Sequence, residues 1–184
     1  MGALHVHEFM SLDGVVDNPT WTFEFGWAEG LGARLEAVTS RSAGILLGRT
    51  TYELFAPAWS TRTVADDPGA PFFNDTTKYV VSGTLEQPTW RNSEIIGAYD
   101  AERIRRLKDD VGDIYVSGSI TLVQAMLADG LVDELHLCVY PITLGGGTRL
   151  FADGAPSVRF SLAVCESYEN GVAYMNYRTV TSDR

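Results

Sequence analysis

Cysteine is scarce: the 184 residues include two, Cys138 and Cys165, too few for a disulfide framework or for a metal site of their own. Both fall in apolar, strand-like runs, which favours buried free thiols over a bridge. Basic residues are also short, 14 against 24 acidic, for a formal charge of −10. That sign repels nucleic acid and anionic membranes over long range. No apolar run approaches the roughly 20 residues needed to cross a bilayer. The first residues, with His5, His7 and Glu8 close behind Met1, lack the basic-then-apolar order of a secretory signal. The expectation is a cytoplasmic protein with neither nucleic-acid nor membrane partners. A G-x-G-x-x-G after the first strand is missing, which disfavours an ordinary Rossmann fold. Gly145-Gly146-Gly147-Thr148 lacks the Gly-Lys-Ser/Thr ending of a phosphate loop and reads as a flexible turn.

Hydrophobic residues make up 45% and charged residues 21% of the chain, ordinary values for a folded domain and far from those of a disordered one. The length suits one domain, residues 1–184. Apolar or alternating runs bounded by turn residues place strands near 3–10, 44–48, 78–82, 93–97, 113–117, 133–141, 157–168 and 171–180. Helix-like stretches lie near 27–41, 50–55, 101–110 and 119–129. The first two-thirds therefore alternates as an α/β sheet with parallel crossovers. The last two runs are separated by Glu169-Asn170-Gly171, a hairpin signal, so the sheet is expected to close with an antiparallel pair. Two longer connections, 11–26 and 56–77, could cover a ligand or pack as hydrophobic skirts.

Three strand ends carry small polar clusters. Ala43–Leu47 is a buried-strand run that stops at Gly48 and delivers Arg49, Thr50 and Thr51 to a helix start. First-turn N–H groups there lack intrahelical partners and carry partial positive charge, and a guanidinium adds a bidentate donor for phosphate. Ile114–Val116 ends in Ser117-Gly118-Ser119-Ile120-Thr121, and Tyr79–Val81 ends in Ser82-Gly83-Thr84. Each cluster alone fits a capped turn equally well. Together, on parallel strands, they would line one edge with a crevice long enough for a dinucleotide.

Gly48-Arg49-Thr50-Thr51-Tyr52-Glu53 resembles the cofactor motif of dihydrofolate reductases. Ser11-Leu12-Asp13-Gly14, Val116-Ser117-Gly118-Ser119, Gly130-Leu131-Val132-Asp133-Glu134 and Pro141–Phe151 are similar to the reductase domain of bacterial riboflavin biosynthesis proteins and stand-alone relatives. The resemblance implies a dihydrofolate reductase-like α/β fold, with a mixed, mostly parallel central sheet of about eight strands, flanking helices and a C-terminal antiparallel hairpin. It implies NADPH as cofactor, with the 2′-phosphate near Arg49 and Ser82, the pyrophosphate near Thr51 and Gly118-Ser119-Ile120-Thr121, and the nicotinamide near strand one and Gly14. Gly48, Thr50, Thr84 and Ser117 complete the implied cofactor set. A homodimer through Pro141–Phe151 is a further implication. The implied reaction is reduction of a pterin- or pyrimidine-like heterocycle or a ribosylamino-pyrimidine.

Hydride transfer needs no protein nucleophile, only positioning and a proton source. The acid candidates are Asp13, Glu24 and Glu29. A carboxyl walled by Trp21 and Trp27, the candidate substrate-stacking residues, would have its pKa raised. Asp13 fits equally well as a brace for a tight turn. His5-Val6-His7 puts two imidazoles on one strand face at a spacing that can chelate zinc, but with no third ligand nearby in sequence they read as sheet-packed, and no metal is assigned. A non-catalytic protein that binds NADPH or a folate-like ligand is the alternative, with a flavin-linked reductase behind it.

Overall fold

The computed structural model describes residues 2–180. Eight strands form one sheet: β1 (Leu4–Ser11), β2 (Gly44–Gly48), β3 (Thr77–Val81), β4 (Ser93–Ile95), β5 (Ile114–Ser117), β6 (Glu134–Tyr140), β7 (Phe160–Ser167) and β8 (Ala173–Thr179). Their order across the sheet is β4-β3-β2-β5-β1-β6-β8-β7. The first six pair in parallel, and β8 and β7 join as antiparallel strands at one edge. This is the dihydrofolate reductase-like arrangement with its C-terminal hairpin.

Alternation along each strand divides the core into two layers. Leu4, Val6, Leu46, Ile114, Val116, Leu135 and Leu137 face α4 (Ala101–Val111) and α5 (Ile120–Ala128), which contribute Ile104, Leu122, Val123 and Met126. Ile45, Leu47, Val80 and Tyr115 face the other way, onto Val38 of α1 (Glu29–Thr39) and Tyr52 and Ala56 of α2 (Arg49–Trp59). Asp100 caps α4 by accepting from the N–H groups of Glu102 and Arg103 at 2.9 and 3.2 Å.

Both long connections are more structured than their sequences suggest. Residues Pro19–Phe25 wind into a 3-10 helix, and Trp21 and Phe25 pack their ring edges against Tyr140 at 5.5 Å. In the 56–77 stretch, α2 continues through Pro57 to Trp59, and a short helix α3 (Ala70–Asp75) follows. Phe73 stacks on Trp59 at 4.2 Å, and Asn74 donates to the carbonyls of Trp59 and Arg62 and accepts from the Trp90 indole. The two ends of that segment are thereby anchored to the core, while residues 60–66 between them are exposed. Cys138 is buried, but Cys165 is exposed, because β7 is the sheet's outer strand; both are free thiols. No helix among the described residues is long and apolar enough to cross a membrane.

Candidate active site

Because β1 to β5 run parallel, Ser11, Gly48, Val81 and Ser117 all finish on one edge. The tips of β2 and β5 touch. The Gly48 N–H donates to Ser119 Oγ at 2.8 Å, so the serine that could have capped α5 instead ties the two strand ends together. Neither α2 nor α5 has a side-chain hydrogen bond at its N-cap. Their first-turn N–H groups remain open to an anion.

Gly118 is the position that needs glycine. Its φ is +59°, and a Cβ there would lie 3.4 Å from Thr51 Cγ2, closing the space between the two helix starts. Gly48, by contrast, holds ordinary extended backbone at φ −77°; no tight turn demands it. Arg49 and Thr50 are exposed on the same rim, and Arg49 pairs with Glu53 one turn on at 3.6 Å. An exposed i,i+4 pair of this kind is weak and releases the guanidinium cheaply to a phosphate. On the next strand, buried Ser82 accepts from the N–H groups of Thr84 and Leu85 at 3.2 and 2.9 Å, which leaves its hydroxyl proton to donate outward. Thr84 and Thr121 are exposed, and Ser117 and Ile120 are half-buried along the same edge.

The β1 tip is laced to the glycine turn. Asp13 accepts from Ser11 Oγ at 2.6 Å and from the N–H groups of Leu144 and Gly145 at 3.1 and 2.8 Å. The serine bond first, then the two amides, hold its carboxyl down at about 2. Gly14 has φ +84°, and its carbonyl accepts from Leu150 N–H at 2.9 Å. Asp17 similarly holds Thr148 N–H at 2.9 Å. An ionised, thrice-bonded carboxylate has no proton to give, so the geometry of Asp13 is that of a brace.

The other acid candidates are solvent-facing. Glu24 and Glu29 are exposed, and their segment packs toward the β7–β8 turn: Asn170 donates to the Gly26 carbonyl at 3.3 Å, and a Cβ on Gly30 would meet Tyr168 at 2.9 Å. Trp27 is 60% exposed, while Trp21 is committed to Tyr140. The expected carboxyl walled by two tryptophans is therefore not formed. One carboxyl escaped the sequence reading. Glu8 lies one residue past the His7–Ser117 pair, so its register sets it beside Gly118. It shares a face with Val6 and Met10, is 3% exposed, and its Oε1 has no hydrogen-bond partner. Burial pushes its carboxyl up to about 8, so it is protonated at neutral pH. Its position inside an apolar run hid it; an acid breaking such a run was the available signal.

Two clefts flank the rim. One of about 400 Å³ lies between α2 and residues 85–90, lined by Tyr52, Glu53, Ala56, Leu85 and Trp90. The other, about 350 Å³, lies between α5 and the 150–160 segment.

Comparison with known proteins agrees with this architecture. The family model of the RibD C-terminal domain matches residues 3–174. The chain is 27% identical over 143 residues to the uncharacterized protein YyaP of Bacillus subtilis (strain 168), covering 72% of each. It superposes with TM-score 0.80 on a Shewanella sp. PV-4 protein assigned provisionally to riboflavin biosynthesis, at 20% identity over 97% of this chain and 99% of that one. It also superposes with TM-score 0.67, at 16% identity, on a diaminohydroxyphosphoribosylaminopyrimidine deaminase/5-amino-6-(5-phosphoribosylamino)uracil reductase from Thermotoga maritima, covering 97% of this chain and 57% of that one. At such identities the structural likeness is one of fold.

Proposed function

The chain belongs to the RibD C-terminal domain family, and from that premise we propose that it is an NADPH-dependent reductase of a small pyrimidine- or pterin-like heterocycle, ribosylamino-pyrimidines included. The observation that carries the reading is the convergence of two uncapped helix starts, α2 and α5, on the touching tips of β2 and β5, with Arg49 on the rim.

The donor chemistry fits a phosphorylated dinucleotide. Gly118 leaves room beside Thr51, and the uncapped N–H groups opening α2 and α5 suit a pyrophosphate. Arg49, Thr50, Ser82 and Thr84 suit the 2′-phosphate, a dianion that a guanidinium grips better than a single ammonium does. The β1 tip around Gly14 would hold the nicotinamide, which would supply the hydride when bound. Asp13 and Asp17 keep the 144–148 turn fixed against the β1 tip and so shape the floor on which a substrate lies. Because Asp13 is ionised and Glu24 and Glu29 are exposed to solvent, the proton reserve in this reading is Glu8, whose burial keeps it neutral.

Calorimetry of the purified protein with NADPH and NADH tests the proposal. Arg49→Ala is expected to weaken NADPH by about 1.5–3 kcal/mol, the worth of a hydrogen bond to a charged group, and NADH far less. An unchanged NADPH-to-NADH preference refutes the phosphate placement. The absence of the expected tryptophan-walled acid also favours a second reading, a protein that binds NADPH without turning over. Saturable NADPH binding with no oxidation across pterins, folates and ribosylamino-pyrimidines would establish that alternative.

A further inference from the structure

At the opposite end of the same strands lies a cluster that the reductase reading does not use. The parallel register of β1 and β6 sets His5 directly beside Glu134, with His136 two residues along and on the same face. All three are buried, and one ligand atom from each lies within 4.8 Å of the others. The sequence offered His5 and His7 as a pair with no third ligand. The fold splits that pair, since His7 turns to Tyr115 OH at 2.8 Å, and brings His5 two partners from about 130 residues away.

We propose that His5 Nδ1, Glu134 Oε2 and His136 Nε2 form a site for one borderline divalent cation of the zinc or cobalt(II) type. Glu134 Oε2 stands 3.3 Å from His5 Nδ1 and 3.2 Å from His136 Nε2. Bonds of 2.0–2.1 Å to zinc make the edge of a tetrahedron about 3.3–3.4 Å, so two of the three donor edges already have the required length.

The outer nitrogens are held as metal-ligating histidines usually are. His5 Nε2 lies 3.2 Å from Asp113 Oδ2, and His136 Nδ1 lies 2.7 Å from Tyr174 OH. A proton on each outer nitrogen leaves an inner lone pair aimed at a carboxylate oxygen, an arrangement that calls for a cation between them.

In this structure a guanidinium stands in. Arg41 Nη2 donates to Glu134 Oε2 at 2.6 Å and to His5 Nδ1 at 3.0 Å. Its side chain is 41% exposed, just beyond the end of α1, so it can swing into solvent. Arg178 holds the other carboxylate oxygen, Oε1, at 3.0 Å and stays clear of the inner space.

A fourth donor is at hand. Asn176 Oδ1 is buried without a partner, while its Nδ2 lies 3.2 Å from both Glu134 Oε2 and His136 Nε2, and 2.9 Å from His136 Nδ1. Rotating the amide by half a turn exchanges the two atoms and aims the orphaned oxygen into the site. The strands run some 20 Å from His5 to Ser11 at about 3.3 Å per residue, so a metal here stabilises the sheet and takes no part in reduction.

The test uses tag-free protein dialysed against chelator and titrated with cobalt(II), read by its visible tetrahedral absorption, and with zinc, read by calorimetry and melting temperature. One equivalent of each is expected to bind, and zinc to raise the melting temperature. His136→Ala should abolish the cobalt absorption. Arg41→Met, which removes the competing guanidinium, should tighten zinc at least tenfold. The proposal is overturned if neither wild type nor Arg41→Met gives a stoichiometric cobalt spectrum at millimolar metal. A folded His136→Ala with undiminished affinity overturns it equally. Should His136→Ala not fold, Arg41→Met decides, and unchanged or weaker zinc binding refutes the site.

Discussion

Glu8 offers the sharpest test of the physical picture, because an unpartnered carboxyl in a sheet core must make stability depend on pH. In the unfolded chain it ionises near 4.5, and in the folded protein burial raises this to about 8. Between those values the native state keeps a proton that the unfolded state has released, so stability falls as pH rises through the window. Below 4.5 there is no penalty from ionisation. At about 1.4 kcal/mol per pH unit, the loss reaches about 3 kcal/mol at pH 7 and levels off at about 4 kcal/mol near pH 8. Glu8→Leu matches the apolar face shared with Val6 and Met10 and removes the titrating group. Urea unfolding at pH 5, 6, 7 and 8 should then show the variant gaining on wild type by about 3.5 kcal/mol from the lowest pH to the highest, at constant m-value. A smaller, pH-independent gain of about 1–3 kcal/mol is expected from deleting the unsatisfied oxygen. Parallel curves for the two proteins would refute the buried, protonated state. If Glu8 is the proton reserve of a reductase, the stabilised variant also loses turnover while still binding NADPH, a stability gain won at the cost of function.

Three other outcomes follow from the strand-tip geometry. Gly118→Ala forces a Cβ onto a backbone at φ +59° beside Thr51; it should cost about 1 kcal/mol of stability, after the gain from a less flexible unfolded chain, and weaken NADPH at least tenfold in calorimetry. Ser119→Ala leaves Gly48 N–H without its acceptor and should destabilise by about 1–2 kcal/mol in denaturant melts, whereas Ser119→Thr keeps the hydroxyl but forces a β-branched side chain onto a backbone at φ +65° and should not recover the loss. Asp13→Ala frees the amides of Leu144 and Gly145, so hydrogen exchange at those two positions should accelerate while exchange in β5 and β6 stays slow. For wild type the same two amides should lose protection only as pH falls toward 2, since Asp13's carboxyl is depressed and its bonds persist until it is protonated.

What could be read from the chain followed the range of the interactions involved. All eight strands coincide with apolar runs closed by turn residues, because burial of a strand is written in consecutive residues. The strand-ending clusters at Gly48, Ser82 and Ser117 were visible for the same reason, and parallel pairing places them on one edge. Local rules failed where packing overrode them. The helix expected near 50–55 runs on through Pro57 to Trp59, whose ring stacks on Phe73. Cys165 lies in an apolar run but is exposed, since the order β6-β8-β7 leaves β7 with one neighbour.

The two least legible features were the ones that break the hydrophobic pattern. Glu8 interrupts an apolar strand, and Glu134 and His136 open another at alternate positions. A buried charge or imidazole is costly unless neutralised, paired or bound, so such an interruption carries information that composition averages away. Glu8 meets that cost by staying neutral; Glu134 meets it with Arg41 and Arg178. The meaning of each depended on a register, His7 beside Ser117 and His5 beside Glu134, that no single segment encodes. In a parallel sheet a one-residue change of register carries a side chain to the opposite face. Once the register is known, the same alternation that separates the two cores also assigns Glu8 to the crevice end of β1 and His5 to the far end, one strand serving two chemically distinct sites.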